Sequence, residues 1–115
     1  MTRKKFLALG AMALLLVAAM TVASPARAAD IEVKIDNFTF NPKQITVKAG
    51  DTVTWVNHDD IPHTVTSKTM AFRSKAMDTD DKFSFTFATP GSYAYFCALH
   101  PMMTGSIVVE ASAGK

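Results

Sequence analysis

The sequence predicts an all-β sandwich of about seven to eight short strands. Apolar and polar residues alternate at period two in one segment after another beyond residue 29. Turn signals such as Asn41-Pro42, Ala49-Gly50-Asp51 and Pro90-Gly91 separate these segments. No internal repeat, low-complexity tract or linker interrupts them, so the strands belong to one domain.

The elements follow in order. Ile31, Val33 and Ile35 alternate with Glu32, Lys34 and Asp36, and Phe38 and Phe40 extend this strand until Asn41-Pro42 ends it. Ile45 and Val47 form a second strand, stopped at Ala49-Gly50-Asp51. Val53 and Trp55 form a third, which places Trp55 in the core and runs into Asn57-His58-Asp59-Asp60. His63 to Thr66 is short and β-branched. Between Ser67 and Asp81 the pattern is poor, which predicts a loop with at most one short strand or helical turn, its apolar points being Met70, Phe72 and Met77. Phe83, Phe85 and Phe87 share one parity, as do Tyr93, Tyr95 and Cys97. Ser106 to Glu110 is the last strand, and the tail from Ser112 is expected to fray.

The N-terminus reads as an export signal. A basic start with Arg3, Lys4 and Lys5 precedes the uncharged apolar run Phe6 to Ala23, and Ala26-x-Ala28 is a small-residue cleavage site. The run is long enough to cross a membrane. The Pro25 break and the cleavage site favour removal instead. This divides the chain into a signal peptide, 1–28, and a domain, 29–115, with a periplasmic location and no stable membrane insertion after cleavage. Four of the twelve Lys and Arg residues (Arg3, Lys4, Lys5, Arg27) leave with the signal, so eight bases face ten acids in the domain. That balance disfavours nucleic acid as a partner. A domain this small has no room for a second substrate-binding unit. A single Cys excludes an internal disulfide, and an unpaired thiol in an oxidising compartment must be buried or ligated.

All three His and the only Cys fall in two segments. The first, Asn57 to Val65, contains His58 and His63. The second, Cys97-Ala98-Leu99-His100-Pro101-Met102-Met103, places thiolate, imidazole and thioether in one turn between strands. Soft sulfur donors with imidazole suit copper in both oxidation states. The two residues between Cys97 and His100 let the chain turn so that both side chains face one point, and His63 would close a trigonal plane from another strand end. Cys97 alone would read as an inert buried thiol, and His63 alone as a satisfied strand-end residue; the combination favours ligation. His58, with Asp59 and Asp60, reads as part of a solvated polar loop. Met70 and Met77 read as packing, and Asp78, Asp80 and Asp81 as a solvated turn ahead of a calcium site.

On these residues the chain resembles the cupredoxins, and among them the amicyanin and plastocyanin-like proteins. Phe40-x-Pro42, Ala49-Gly50-Asp51-Thr52-Val53-Thr54-Trp55-x-Asn57, Pro62-His63-x-Val65 and Gly91-x-Tyr93-x-Tyr95-x-Cys97-x-x-His100-Pro101-x-Met103-x-Gly105 stand in the family's order. The resemblance implies a cupredoxin Greek-key sandwich and one type 1 copper ion held by His63, Cys97, His100 and, as a weak axial ligand, Met103. It implies a monomeric one-electron carrier that is not an enzyme. Its redox partners, such as a c-type cytochrome or a periplasmic dehydrogenase or oxidase, would dock on apolar surface near His100. Met102 is expected to face outward as part of that surface. Two departures stand out. Thr64 and Ala98 occupy positions where the family commonly has Asn and a Ser or Thr whose side chains tether the ligand loop. Ala98 has no hydroxyl, so that bond cannot form, and backbone amides are left to support the Cys97 sulfur. Two other readings compete: a periplasmic copper trafficking or storage protein, favoured by the extra Met102, Met70 and His58, and a structural zinc site, in which Met103 would have no purpose.

Overall fold

Eight strands form two four-stranded sheets over residues 28–112, the residues that this computed structural model describes, and no helix occurs among them. Residues 1–27, which include all but the last residue of the predicted export signal 1–28, and the tail from Ala113 lie outside the described residues. One sheet has the order β2-β1-β4-β6, from β1 (Asp30–Asp36), β2 (Thr39–Asn41), β4 (Thr52–Asn57) and β6 (Lys82–Thr86). The other has the order β3-β8-β7-β5, from β3 (Gln44–Lys48), β5 (Thr66–Ser67), β7 (Gly91–Cys97) and β8 (His100–Glu110).

The chain changes sheets at Pro42 and again at the Lys48–Asp51 turn, so β1 pairs parallel with β4, and β3 parallel with β8. These are crossed connections, and with the antiparallel pairs they make the expected Greek-key sandwich. The turn between β3 and β4 needs its glycine: Gly50 has a φ of 101°, which suits the third position of a type II turn. Asp51 closes that turn, its carboxylate accepting the amides of Lys48 and Ala29, both at 2.9 Å.

Alternation places the core as the sequence predicts. Val33, Ile35, Val53 and Trp55 from one sheet meet Tyr95, Ile107 and Val109 from the other. Phe72 is inserted between the sheets from the 68–81 segment and stacks on Trp55 with ring centroids 5.7 Å apart. That segment is not a free loop and holds no helical turn. Isolated bridges pair Thr66 with Arg73 and His63 with Met77, pinning Phe72 and Met77 in the core while Met70 stays exposed.

Two expectations need correction. Phe38 does not continue β1: β1 ends at Asp36, and Asn37-Phe38 are the two central residues of a hairpin that folds β2 back on it, pairing Asp36 with Thr39. The last strand does not begin at Ser106 but at His100, because Cys97 and His100 already face one another across a two-residue turn.

Candidate metal centre

The site lies where β7 turns into β8. Cys97 pairs with His100 and Phe96 with Thr104, so the register jumps and Pro101, Met102 and Met103 form a bulge on β8. The bulge separates the two methionines: Met103 is buried, and Met102 is 93% exposed. Gly105 follows inside β8, directly opposite Tyr95, where it leaves room for a close ring contact.

His63 and Cys97 are both fully buried. Nδ1 of His63 lies 3.7 Å from Sγ of Cys97. The amide of Thr64 donates to the same sulfur at 3.3 Å, as the sequence leaves for a backbone group to do. The missing loop tether is replaced: Oγ1 of Thr64 accepts the Ala98 amide at 2.7 Å, which ties the turn after Cys97 to the strand end after His63.

Asp59 sets the chemistry of His63. Its Oδ2 lies 2.7 Å from Nε2 of His63. Burial pushes the Asp59 carboxyl up, but the Phe38 and Asn37 amides and the His63 ring outweigh it and hold the acid below its usual range. Asp59 is therefore an ionised acceptor for the Nε2–H of His63, which turns Nδ1 toward the thiol. Asn57 holds this arrangement in place. It is fully buried, its Oδ1 accepts the Asp59 amide at 2.9 Å, and its Nδ2 donates to the carbonyls of Ile61 and Met77, each at 2.9 Å.

His100 is half-buried, with its ring centroid 5.2 Å from that of His63. The four predicted ligands are thus brought to one end of the sandwich. No three His, Cys, Asp or Glu side chains among the described residues close into a finished metal-holding group. The donor set fits copper: a buried thiol that receives an N–H bond, an imidazole whose Nδ1 faces the sulfur, a second imidazole next to it, and a buried thioether. His58, Met70 and the Asp78–Asp81 turn lie apart from this cluster, and Met70, read from the sequence as packing, is instead exposed.

Sequence reasoning missed Asp59, Asn57 and Phe38. Asp59 read as a solvated loop acid because nothing local shows that its carboxylate reaches His63 and the β1–β2 turn. A clue was its spacing of four residues from His63. The centroid of the Phe38 ring lies 5.4 Å from His63 and 5.1 Å from His100.

A Greek-key sandwich with Cys, His and Met donors in its β7–β8 turn and a second His at a neighbouring strand end has the form of a cupredoxin. The cupredoxin-like domain family matches residues 7–109, and the chain belongs to that family. Within it, the chain is 39% identical over 101 residues to amicyanin of Paracoccus versutus, covering 79% of this chain and 76% of the relative. It is 35% identical over 108 residues to amicyanin-alpha of Methylorubrum extorquens, covering 90% and 91% of the two chains. Among solved structures, the Cu(I) form of an amicyanin with a methionine replaced by alanine superposes with a TM-score of 0.67 at 34% identity, over 76% of this chain and 88% of that one.

Proposed function

We propose that this chain is an exported one-electron carrier, not an enzyme, that binds one type 1 copper ion through His63, Cys97, His100 and Met103. The observation that carries this reading is the Cys97 thiol, which is fully buried, receives an amide hydrogen bond and faces Nδ1 of His63. Copper supplies the one-electron couple. The protein supplies a ligand set that changes little between the two states. The Thr64 amide stabilises the thiolate, the Asp59 carboxylate fixes the His63 tautomer and the Thr64 hydroxyl fixes the turn.

Electrons would enter and leave at His100. Phe38, Leu99 and Met102 are 49%, 50% and 93% exposed around it, which leaves an apolar patch suited to weak, rapid encounters. The partners are redox proteins such as a c-type cytochrome or a periplasmic dehydrogenase or oxidase, met by a monomer. The leader 1–28 directs the chain to the periplasm and is removed there.

The test is the visible spectrum during Cu(II) titration of the purified protein. One equivalent should produce an intense charge-transfer band, and Cys97→Ser should abolish it while the fold survives. A colourless Cu(II) complex of folded wild type would overturn the electron-carrier reading and favour copper delivery.

A further inference from the structure

Phe38 stands where the backbone favours glycine. The turn between β1 and β2 has φ values of 54° at Asn37 and 59° at Phe38. That is the pattern of a two-residue type I′ hairpin, for which Asn-Gly is the preferred pair. Asn37 suits its position. A bulky side chain at the second position is strained, and Phe38 is 49% exposed, so core burial does not account for it.

Asp59 fastens this turn to the site. Its Oδ1 accepts the Asn37 amide at 2.6 Å and its Oδ2 the Phe38 amide at 2.9 Å, while Oδ2 also takes the Nε2–H of His63. The ring held there is edge-on to both imidazoles, at interplanar angles of 88° to His63 and 85° to His100. The two histidines differ in how they are held. His63 has the Asp59 carboxylate. The His100 ring has no hydrogen-bond partner among the described residues, and its ring neighbours are Phe38 and His63.

We infer that Phe38 is a positioning residue for the metal centre: Asp59 holds it on a left-handed turn so that its ring restricts the rotation of His100, which, unlike His63, no hydrogen bond orients. The inference rests on the reading of His63 and His100 as copper ligands. Backbone strain at Phe38 is the cost of placing an aromatic ring where the turn alone would take glycine.

Phe38→Gly tests this, because the substitution relieves the turn and removes the ring together. In the metal-free protein the thermal midpoint should hold or rise, while NMR relaxation should show the His100 imidazole more mobile than in wild type. After loading with one equivalent of copper and reduction, a Cu(I) chelator should extract the metal about tenfold faster. Phe38→Tyr should restore both ring order and extraction rate. Wild-type ring dynamics and extraction in the Gly variant would overturn the inference. So would a lowered midpoint of the metal-free Gly variant, since the ring would then serve the hairpin and not the centre. Failure of the wild type to take up copper would refute the ligand reading instead, and the ring dynamics of the metal-free protein would still decide the role of Phe38.

Discussion

The Tyr95 ring occupies the space a side chain at Gly105 would need: a Cβ there would lie 2.5 Å from both Cζ and the phenol oxygen of Tyr95. The two residues face each other across β7 and β8, two positions from Cys97 and Met103 respectively. Tyr95 is fully buried, and burial pushes its phenol up to about 12, opposed in part by the nearby Trp55 indole. Gly105→Ala should therefore destabilise the metal-free protein by about 1–3 kcal/mol, the usual cost of forcing atoms into a packed core. Urea denaturation measures this. A change of less than a few tenths of a kcal/mol would show that the ring moves aside at no cost.

The bulge at Pro101–Met103 predicts different roles for its two methionines. Met103 faces inward and Met102 outward. Met103→Gln should lower the reduction potential and alter the visible spectrum with copper still bound, because the proposed trigonal set of His63, Cys97 and His100 would hold the metal. Met102→Gln should leave both nearly unchanged and slow electron transfer to a partner. A spectral shift with Met102→Gln alone would move the axial position by one residue.

Thr64 replaces a side-chain tether with a side-chain-to-backbone one. Thr64→Val removes the acceptor of the Ala98 amide and should cost about 1 kcal/mol. It should also speed copper extraction, while Thr64→Ser retains the hydroxyl and both properties. Equal extraction rates in the Val and Ser variants would mean that the turn does not depend on this bond.

Acid stability should depend on Asp51. The Lys48 and Ala29 amides, which outweigh burial, hold its carboxyl below the ordinary value of 3.8. A depressed folded-state value means that the stabilisation is complete above the unfolded value. It is lost as pH falls through the folded one. Asp51→Asn keeps one acceptor oxygen for two amides, so it should lower stability at neutral pH and flatten the decline seen below about pH 5. Urea midpoints across that range give the comparison; parallel curves for the two proteins would assign the acid limb to other carboxylates.

Much of this molecule is legible in the sequence because it rests on local periodicity and spacing. Val33 and Ile35, or Val53 and Trp55, announce their strands by parity, and the spacing and soft donors of Cys97, His100 and Met103 mark out the proposed site. Phe38 misleads because it alternates with Phe40 and so extends an apparent strand, although the apolar parity has already shifted by one between Ile35 and Phe38. Only the backbone shows that the chain has already reversed there. The link from Asp59 to the β1–β2 turn spans more than twenty residues, and side-chain chemistry alone does not show which of two adjacent acids, Asp59 or Asp60, would make it. The early start of β8 is hidden for a related reason: Pro101, Met102 and Met103 break the alternation, so the pairing of His100 with Cys97 does not appear in the pattern.

The bond from the Ala29 amide to Asp51, 2.9 Å long, gains a second meaning if the leader is cut after Ala28. The same nitrogen then becomes the N-terminal ammonium, and a neutral donor is replaced by a cation facing a carboxylate. Ala29 also accepts the Thr52 amide, so it lies at the point where β1 joins β4. Proteolytic maturation would thus clasp the end of the central strand pair, and the processed protein would be sturdier than its precursor. The gain should be present at neutral pH and fade as pH rises through the range where an α-amino group loses its proton. Melting the chain that begins at Ala29 beside one that retains Ala28 would measure it.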